Sequence, residues 1–443
     1  MYKINVSRAF LVVLSSLLFT TGWGQTTTYN SPFSMKGIGD LPNPVLIRGS
    51  AMGGISIAMR DPMYIDFNNP ASFSARDSLS FVFDFGLNGK STKLQSARGA
   101  KHTHDLNLGN LVFSFPISRH MGVAMGFVPS IYNGYALNEK VTEDDPLYDP
   151  KIGELSYYFK GDGGVTRFFI GTAIELFDHL SVGVNFDYYF GKIHKMHELY
   201  FPDDPTAFNT RLERNYIVSD FNFDIGLQYT VRFGEDKRLV VGMIGSTTNK
   251  RTRYTLEAFD YSLVLFPNGS RKLDTINHYT LYNQQITLPP TLGIGFTYVK
   301  DHHWTVGADY TYSNWTKANI PFSKDSLIAS HNIRAGFEYT PNPRDLRRYW
   351  KLIKYRVGGH YQNSYFTVNG NPVKDFGISF GAGLPILNRG SGMAFLLGRT
   401  TLNFSVETGW RGNVSRNFVR ERYNIIKFGI SVNDLWFVKR KYQ

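Results

Sequence analysis

Between Phe221 and Phe233 the chain alternates without a break. Phe221, Phe223, Ile225, Leu227, Tyr229, Val231 and Phe233 take the odd positions, and Asn222, Asp224, Gly226, Gln228, Thr230 and Arg232 the even ones. A period of two puts one set on each face of a β-strand. Thr305–Ser313 repeats the pattern, with Val306, Ala308, Tyr310 and Tyr312 on one face and Thr305, Asp309, Thr311 and Ser313 on the other. Leu79–Leu87, Val182–Phe190, Leu292–Tyr298, Leu402–Trp410 and Ile426–Val432 do the same. After residue 24 no apolar run approaches the roughly 18 residues of a membrane-spanning helix, which excludes a helical inner-membrane protein.

A soluble β-sandwich also alternates. Three features favour a membrane barrel instead. The alternating runs exceed the usual strand of about five or six residues and match the roughly 9–11 needed to span a bilayer. Aromatics make up 15% of the chain, with 27 Tyr and 35 Phe, and they gather on strands and at strand ends, as interfacial girdles require. Mean hydropathy is negative despite those aromatics, as expected where a lumen is polar.

The first 24 residues read as an export signal, with Lys3 and Arg8 ahead of the apolar run Phe10–Phe19 and small residues at Gly22-Trp23-Gly24. There is no Cys, which excludes an acylated N-terminal cysteine, disulfides and thiolate metal sites. Without Lys3 and Arg8, 48 basic residues become 46 against 36 acidic ones, a net of +10. The basic residues are scattered, with small clusters at Arg347–Arg356 and Lys439–Lys441. In an exported chain they suit an anionic membrane surface or a lipopolysaccharide coat better than nucleic acid.

Short turns at Asp178-His179, Glu235–Lys237, Asp301-His302 and Asn388–Gly390 alternate with longer polar connections at 138–152, 201–211 and 266–278. These suit periplasmic turns and extracellular loops. Residues 76–443 accommodate fourteen strands at about 26 residues per strand and connection, with twelve and sixteen as the neighbouring counts. The expected fold is therefore all-β, a transmembrane antiparallel β-barrel. Residues 1–24 form the signal, 25–75 an irregular N-terminal piece and 76–443 the barrel.

That piece holds the segment Arg48-Gly49-Ser50-Ala51-Met52-Gly53-Gly54, then Ala58, Asp61 and Asn69-Pro70-Ala71. It is too Gly-rich for a good helix and too irregular for one strand. Together with Leu288-Pro289, Trp304 and Asp309–Trp315, and more weakly Gly161–Thr172, it resembles the FadL/OmpP1 (TodX) family of outer-membrane transporters. The patches span residues 48 to 315.

The resemblance implies a fourteen-stranded barrel plugged by an N-terminal hatch, in the outer membrane of a Gram-negative bacterium. No enzyme activity and no cofactor are expected, since catalytic signatures are weak. The resemblance also implies lumenal binding of hydrophobic or amphipathic, long-chain fatty-acid-like molecules, hatch rearrangement and lateral exit. On this reading Arg48, Gly49, Gly53, Gly54, Asp61, Asn69, Pro70 and Ala71 belong to the hatch, with Arg48 and Asp61 as partners for lumen charges. Pro70 fixes the entry into the first strand. The alternative is a periplasmic arm with ordinary turns. Asp187, Asp224, Asp309 and Glu407 share the polar register of their strands and are expected to face the lumen. A second functional expectation is a non-transporting subunit of an outer-membrane assembly or secretion complex, partnered by another barrel or a lipoprotein. The basic end Trp436–Gln443, which lacks a terminal aromatic, leaves room for it.

Catalytic signatures are weak. The chain has no Gly-x-Ser-x-Gly elbow and no His-Glu-x-x-His. Gly89-Lys90-Ser91 resembles the end of a phosphate loop, but Asp84 stands where the first Gly is required. His102/His104, His194/His197 and His302/His303 read as loop or strand-end histidines rather than metal pairs.

Overall fold

The computed structural model describes residues 31–435 except 79, 98, 147, 205–206, 248–251, 266–270, 301–302, 322, 324, 346 and 387–399. The expected signal, Asp301-His302, the Asn388–Gly390 turn and the tail from Trp436 lie outside the described residues.

Seventeen strand segments follow the N-terminal piece. They are β1 (Ser80–Ser96), β2 (Gly99–Ser118), β3 (Met121–Tyr132), β4 (Tyr135–Val141), β5 (Leu155–Leu176) and β6 (Leu180–Tyr200). Next come β7 (Asn209–Phe233), β8 (Lys237–Thr247), β9 (Thr252–Leu265), β10 (Arg271–Ile286), β11 (Thr291–Lys300) and β12 (Trp304–Asn314). The last are β13 (Ala329–Tyr339), β14 (Lys354–Val368), β15 (Asn371–Pro385), β16 (Thr401–Gly412) and β17 (Val419–Leu435).

Three pairs of segments are single crossings with a break. Both β3 and β4 pair with β5, and both β8 and β9 pair with β7. Segments β10 and β11 pair with β9 and β8 in turn. Fourteen antiparallel crossings result. The last, β17, pairs with β1 from Ser80↔Leu435 to Ser96↔Val419, so the barrel is closed. Closure leaves no sheet edge around the belt, which is what a lipid environment demands.

The alternation sets the two faces. On β7, Phe221, Phe223, Ile225, Leu227 and Tyr229 point outward, while Gly226, Gln228 and Thr230 are buried inside. On β12, Val306 and Tyr310 face out, and Thr305, Asp309, Thr311 and Ser313 face in. Exposed Tyr229, Phe233, Tyr339, Trp350 and Tyr355 gather towards the short-turn end and supply an aromatic belt.

The sequence reading of the connections needs correction. Residues 271–278, expected in a loop, belong to β10, whose residues 273–279 are all exposed. Exposure on both faces erases the alternation that marks a membrane strand. A long connection, 340–353, lies at the short-turn end, and the two-residue turn Asn369-Gly370 lies at the other. The lumen is also less polar than expected. Phe33, Ile38, Tyr216, Tyr254, Trp315, Tyr365 and Phe366 belong to one internal apolar cluster. Phe67, Phe73, Val82, Val112 and Phe169 belong to another. The N-terminal piece contributes apolar side chains to both.

Tyr310 lies mid-strand on the outer face. Tyr310→Arg should destabilise the barrel by roughly 2–4 kcal/mol, the cost of a basic side chain at the bilayer midplane. Reversible denaturant unfolding in lipid vesicles measures this. An unchanged midpoint would place Tyr310 away from the membrane core.

Candidate functional site

Residues 31–75 run irregularly, and most are buried. Irregular backbone at membrane depth must find hydrogen-bond partners in protein. The barrel wall supplies them. Asp309 Oδ2 accepts from the backbone N–H groups of Ser56 (2.6 Å) and Ile57 (2.9 Å). Gln228 donates to the carbonyls of Ile57 and Met59, both at 3.1 Å. Asn185 donates to Phe67 O at 3.0 Å, and Ser379 Oγ accepts from Gly53 N at 2.9 Å.

Asn69 works in the opposite direction. Its amide donates to Ile57 O at 2.6 Å and to the β7 carbonyl of Leu227 at 3.1 Å. Its Oδ1 accepts from Ala71 N, capping the turn Pro70–Ala75 that leads into β1.

The segment lies flush against the wall. The short helix Ile47–Ser50 ends in a turn in which Gly54 N donates to Gly49 O at 2.8 Å. Gly53 has φ of 71°, and a Cβ there would lie 2.5 Å from Ala335 O and Gly359 N. Across the contact, a Cβ on Gly358 of β14 would lie 2.1 Å from Gly53 N. Only glycine on both sides permits this approach.

An ion-pair network reinforces the seat. Arg48 is buried and binds Glu338 of β13 through Nη2 (2.8 Å) and Nε (3.1 Å), and Asp61 through Nη1 (2.7 Å). Arg356 of β14 shares Glu338 at 2.7 Å and reaches Asn403 of β16. Lys354 donates to Tyr64 OH, and the Arg48 guanidinium lies 4.3 Å from the Tyr64 ring centre. Burial raises the Asp61 carboxyl, but Arg48 and Lys354 outweigh it and hold it down at about 2. The sequence paired Arg48 and Asp61 only with unnamed lumen charges. In the structure they bind one another, and Glu338 is the wall's contribution. Arg60 likewise bonds Glu175 of β5 at 3.1 Å.

Above this layer, two of the lumen's cavities border residues 38–54. One, of about 180 Å3, is polar, and Glu407 lines it with Arg334, His360, Asp375 and Lys427. The other, of about 300 Å3, is mainly apolar. Ile38, Leu41 and Pro44 of the N-terminal segment face Val165, Ile193, Val218, Ile286 and Trp315 across it. Arg167, Asp220 and Asp224 form its polar floor, with Arg167 bonded to Asp224 at 3.0 Å. Asp187 lies fully buried 3.8 Å from the same guanidinium. The four acids singled out in the sequence thus part company. Asp309 holds the N-terminal main chain, Glu407 lines the polar cavity, and Asp187 and Asp224 flank Arg167. Among the described residues no group of three metal-ligating side chains converges.

The wall also has a seam. The β2–β3 ladder runs only from Leu111↔Phe127 to Ser118↔Met121. Beyond it, Gly99–Asn110 of β2 ladders with β1, while Val128–Tyr132 and β4 ladder with β5. Pro129 lacks an N–H and sits at a register shift where the ladder parts. The N-terminal segment lies against the parted edge. Ser31 N donates to Gly134 O at 2.8 Å, and Asp40 forms an antiparallel bridge with Tyr132. A cavity of about 320 Å3 lies in the seam, between Lys101 and Thr103 on one side and Tyr135 and Leu137 on the other. Pro129 and Asn133-Gly134 were the available sequence signals for this break.

Arg48→Ala would strand Asp61 in the interior and leave Glu338 with Arg356 alone. It should cost about 3–5 kcal/mol, the loss expected when one partner of a buried ion pair is removed. The depressed Asp61 carboxyl contributes stability that is complete above the ordinary carboxylate range and is lost as pH falls through about 2. Wild type should therefore lose stability as pH falls from about 4 to about 2, and both Arg48→Ala and Asp61→Asn should flatten that loss, which acid titration of the unfolding midpoint measures. Asp309→Asn, harmless if that side chain met only water, should instead cost about 1–2 kcal/mol by weakening two charge-assisted bonds.

The fold has known counterparts. The P. putida toluene transporter TodX superposes with a TM-score of 0.57 at 13% identity, covering 90% of this chain and 100% of that one. A Pseudomonas aeruginosa FadL homologue gives 0.55 at 11% identity, covering 89% and 99%. The CymD monoaromatic hydrocarbon channel gives 0.55 at 14%, covering 88% and 97%. At these identities the likeness is one of fold, a FadL-type barrel. No curated protein sequence matches the chain. The BamG family model matches residues 6–443, nearly the whole sequence, and the chain belongs to the BamG family.

Proposed function

We propose that this protein binds a hydrophobic or amphipathic small molecule in the lumen and passes it sideways through the barrel wall. The observation that carries this reading is the apolar cavity of about 300 Å3 enclosed between residues 38–44 and the wall. Ser130 and Ile131, which line it, belong to the stretch of β3 that borders the seam. A molecule in the cavity thus lies near the place where the wall is not laddered. The N-terminal segment acts as a hatch that closes the lumen towards the periplasm, and its residues at the seam, Ser31–Asp40, are the part that must move. Hydrophobic cargo gains by this route, because it crosses the polar lipid coat inside protein and enters the bilayer without crossing water.

A second reading has its own support. The lower hatch is held by Arg48, Asp61, Glu338 and Arg356 and by Asp309, Gln228 and Asn69, an anchorage that suits a permanently filled barrel. The match to BamG over nearly the entire chain stands beside it. On this reading the protein is a non-transporting subunit of an outer-membrane assembly or secretion complex, and another barrel or a lipoprotein is its partner.

The chain has no native Cys, so the seam can be closed selectively. Lys101→Cys with Leu137→Cys, joined by a flexible bis-maleimide, should reduce uptake of an apolar ligand into cells by roughly tenfold relative to the uncrosslinked pair. Uptake that survives both the crosslink and deletion of the gene would remove the transport reading. Mild-detergent purification followed by mass spectrometry decides the second reading: a stoichiometric barrel or lipoprotein partner supports it, and a lone monomer sinks it.

A further inference from the structure

The floor of the apolar chamber is unusual in its charge. Asp220, Asp224 and the deeper Asp187 meet two guanidiniums, Arg167 and Arg253. Arg253 is half exposed and binds Asp220 from outside at 3.5 Å, which leaves Arg167 as the interior cation for Asp187 and Asp224. Asp187 and Asp224 lie against one another beside Arg167, and the Tyr189 phenol meets the same guanidinium. Beyond these contacts Asp187 and Asp224 Oδ1 receive no hydrogen bond, and Asn222 Oδ1, which also lines the chamber, receives none. The cluster is therefore rich in acceptors and holds one interior guanidinium. Two neighbouring carboxylates beside one guanidinium favour the uptake of a further positive charge, either a proton or a cationic group. The space directly above is apolar and wide enough for a chain.

We propose that the chamber selects amphipaths with a cationic, hydrogen-bond-donating head, an alkylammonium rather than a carboxylate. The chain lies against Ile38, Leu41, Val218 and Trp315, and the head sits over Asp220 and Asp224. The inference rests on the lumen-binding reading above and departs from the fatty-acid-like cargo expected from the sequence. A carboxylate head would add a third interior acid beside Asp224 and Asp187, and Arg167 is already engaged by both. An ammonium head replaces its lost hydration with fixed acceptors.

The test is equilibrium dialysis of radiolabelled decylammonium, decanol and decanoate against nanodiscs containing the full-length protein, with empty nanodiscs subtracted. Decylammonium should bind saturably and roughly tenfold tighter than decanoate, with decanol between them. Asp224→Asn and, separately, Asp220→Asn should each shrink that ratio to about threefold or less. Equal binding of the three probes, or tighter binding of decanoate, would overturn the charge selection and leave lumen binding standing. Absence of saturable binding by any probe would overturn both. The wild-type series decides the matter even if a variant fails to fold.

Discussion

The structure depends on one requirement, that an irregular main chain inside a membrane barrel must not keep unpaired N–H and C=O groups. Each unmet group would cost several kcal/mol, because bulk water is excluded. The wall meets the demand with side chains at fixed register positions. Asp309 takes two N–H groups, Gln228 gives to two carbonyls, and Asn185 gives to a third. Each of these residues stands on the inner face of a strand whose outer face is apolar. The same alternation that suits the barrel to lipid therefore builds the cradle for the segment within it. Glycines complete the fit. Gly358 on the wall and Gly53 on the segment meet backbone to backbone, so the hydrogen-bonding groups come within reach.

The strands were legible because their determinants are local. Lipid imposes a period of two, and Phe221–Phe233 displays it over its whole length. Asp309 could be assigned to the inner face from its neighbours Ala308 and Tyr310 alone. Its partners could not, because they lie 252 and 253 residues away and are chosen by how the irregular segment folds back. Glu338 illustrates the same limit. It pairs with Arg48 across 290 residues, and nothing within β13 distinguishes it from a solvated lumenal acid. Segment β10 was misread for a different reason. Beyond the bilayer both faces of a strand meet water, so residues such as Asp274, Asn277 and His278 carry a loop's composition into an extended ladder.

The lumen is divided along the barrel axis. On the side where β1 begins, buried charges tie the N-terminal segment to β13, β14 and β5. On the other side the same segment contributes Phe33 and Ile38 to an apolar cluster with Tyr216, Trp315 and Phe366, and it is also tied to the wall by Asp40–Arg411 and Lys36–Asp325, both at 2.8 Å. These two kinds of contact respond differently to displacement. Removing a partner from a buried ion pair strands charge and costs several kcal/mol, whereas apolar contacts can be exchanged for those of an apolar guest at little net cost. On the lumen-binding reading, a guest would replace part of the upper apolar packing without disturbing the lower anchorage.

On the transport reading, that difference bears on the direction of exit. A path straight through the lumen requires breaking the Arg48–Glu338–Arg356 network and freeing main-chain groups from Asp309 and Gln228. A path through the wall elsewhere would require breaking a strand ladder in lipid, where no water replaces the lost bonds. At the seam between β2 and β3–β4 the ladder is absent above Leu111↔Phe127, and the contacts in its place come from Ser31–Asp40. Moving that short stretch would break the Asp40–Arg411 and Lys36–Asp325 pairs but no strand ladder. On the transport reading, the break at Pro129 is thus where an opening leaves the ladders of the wall intact.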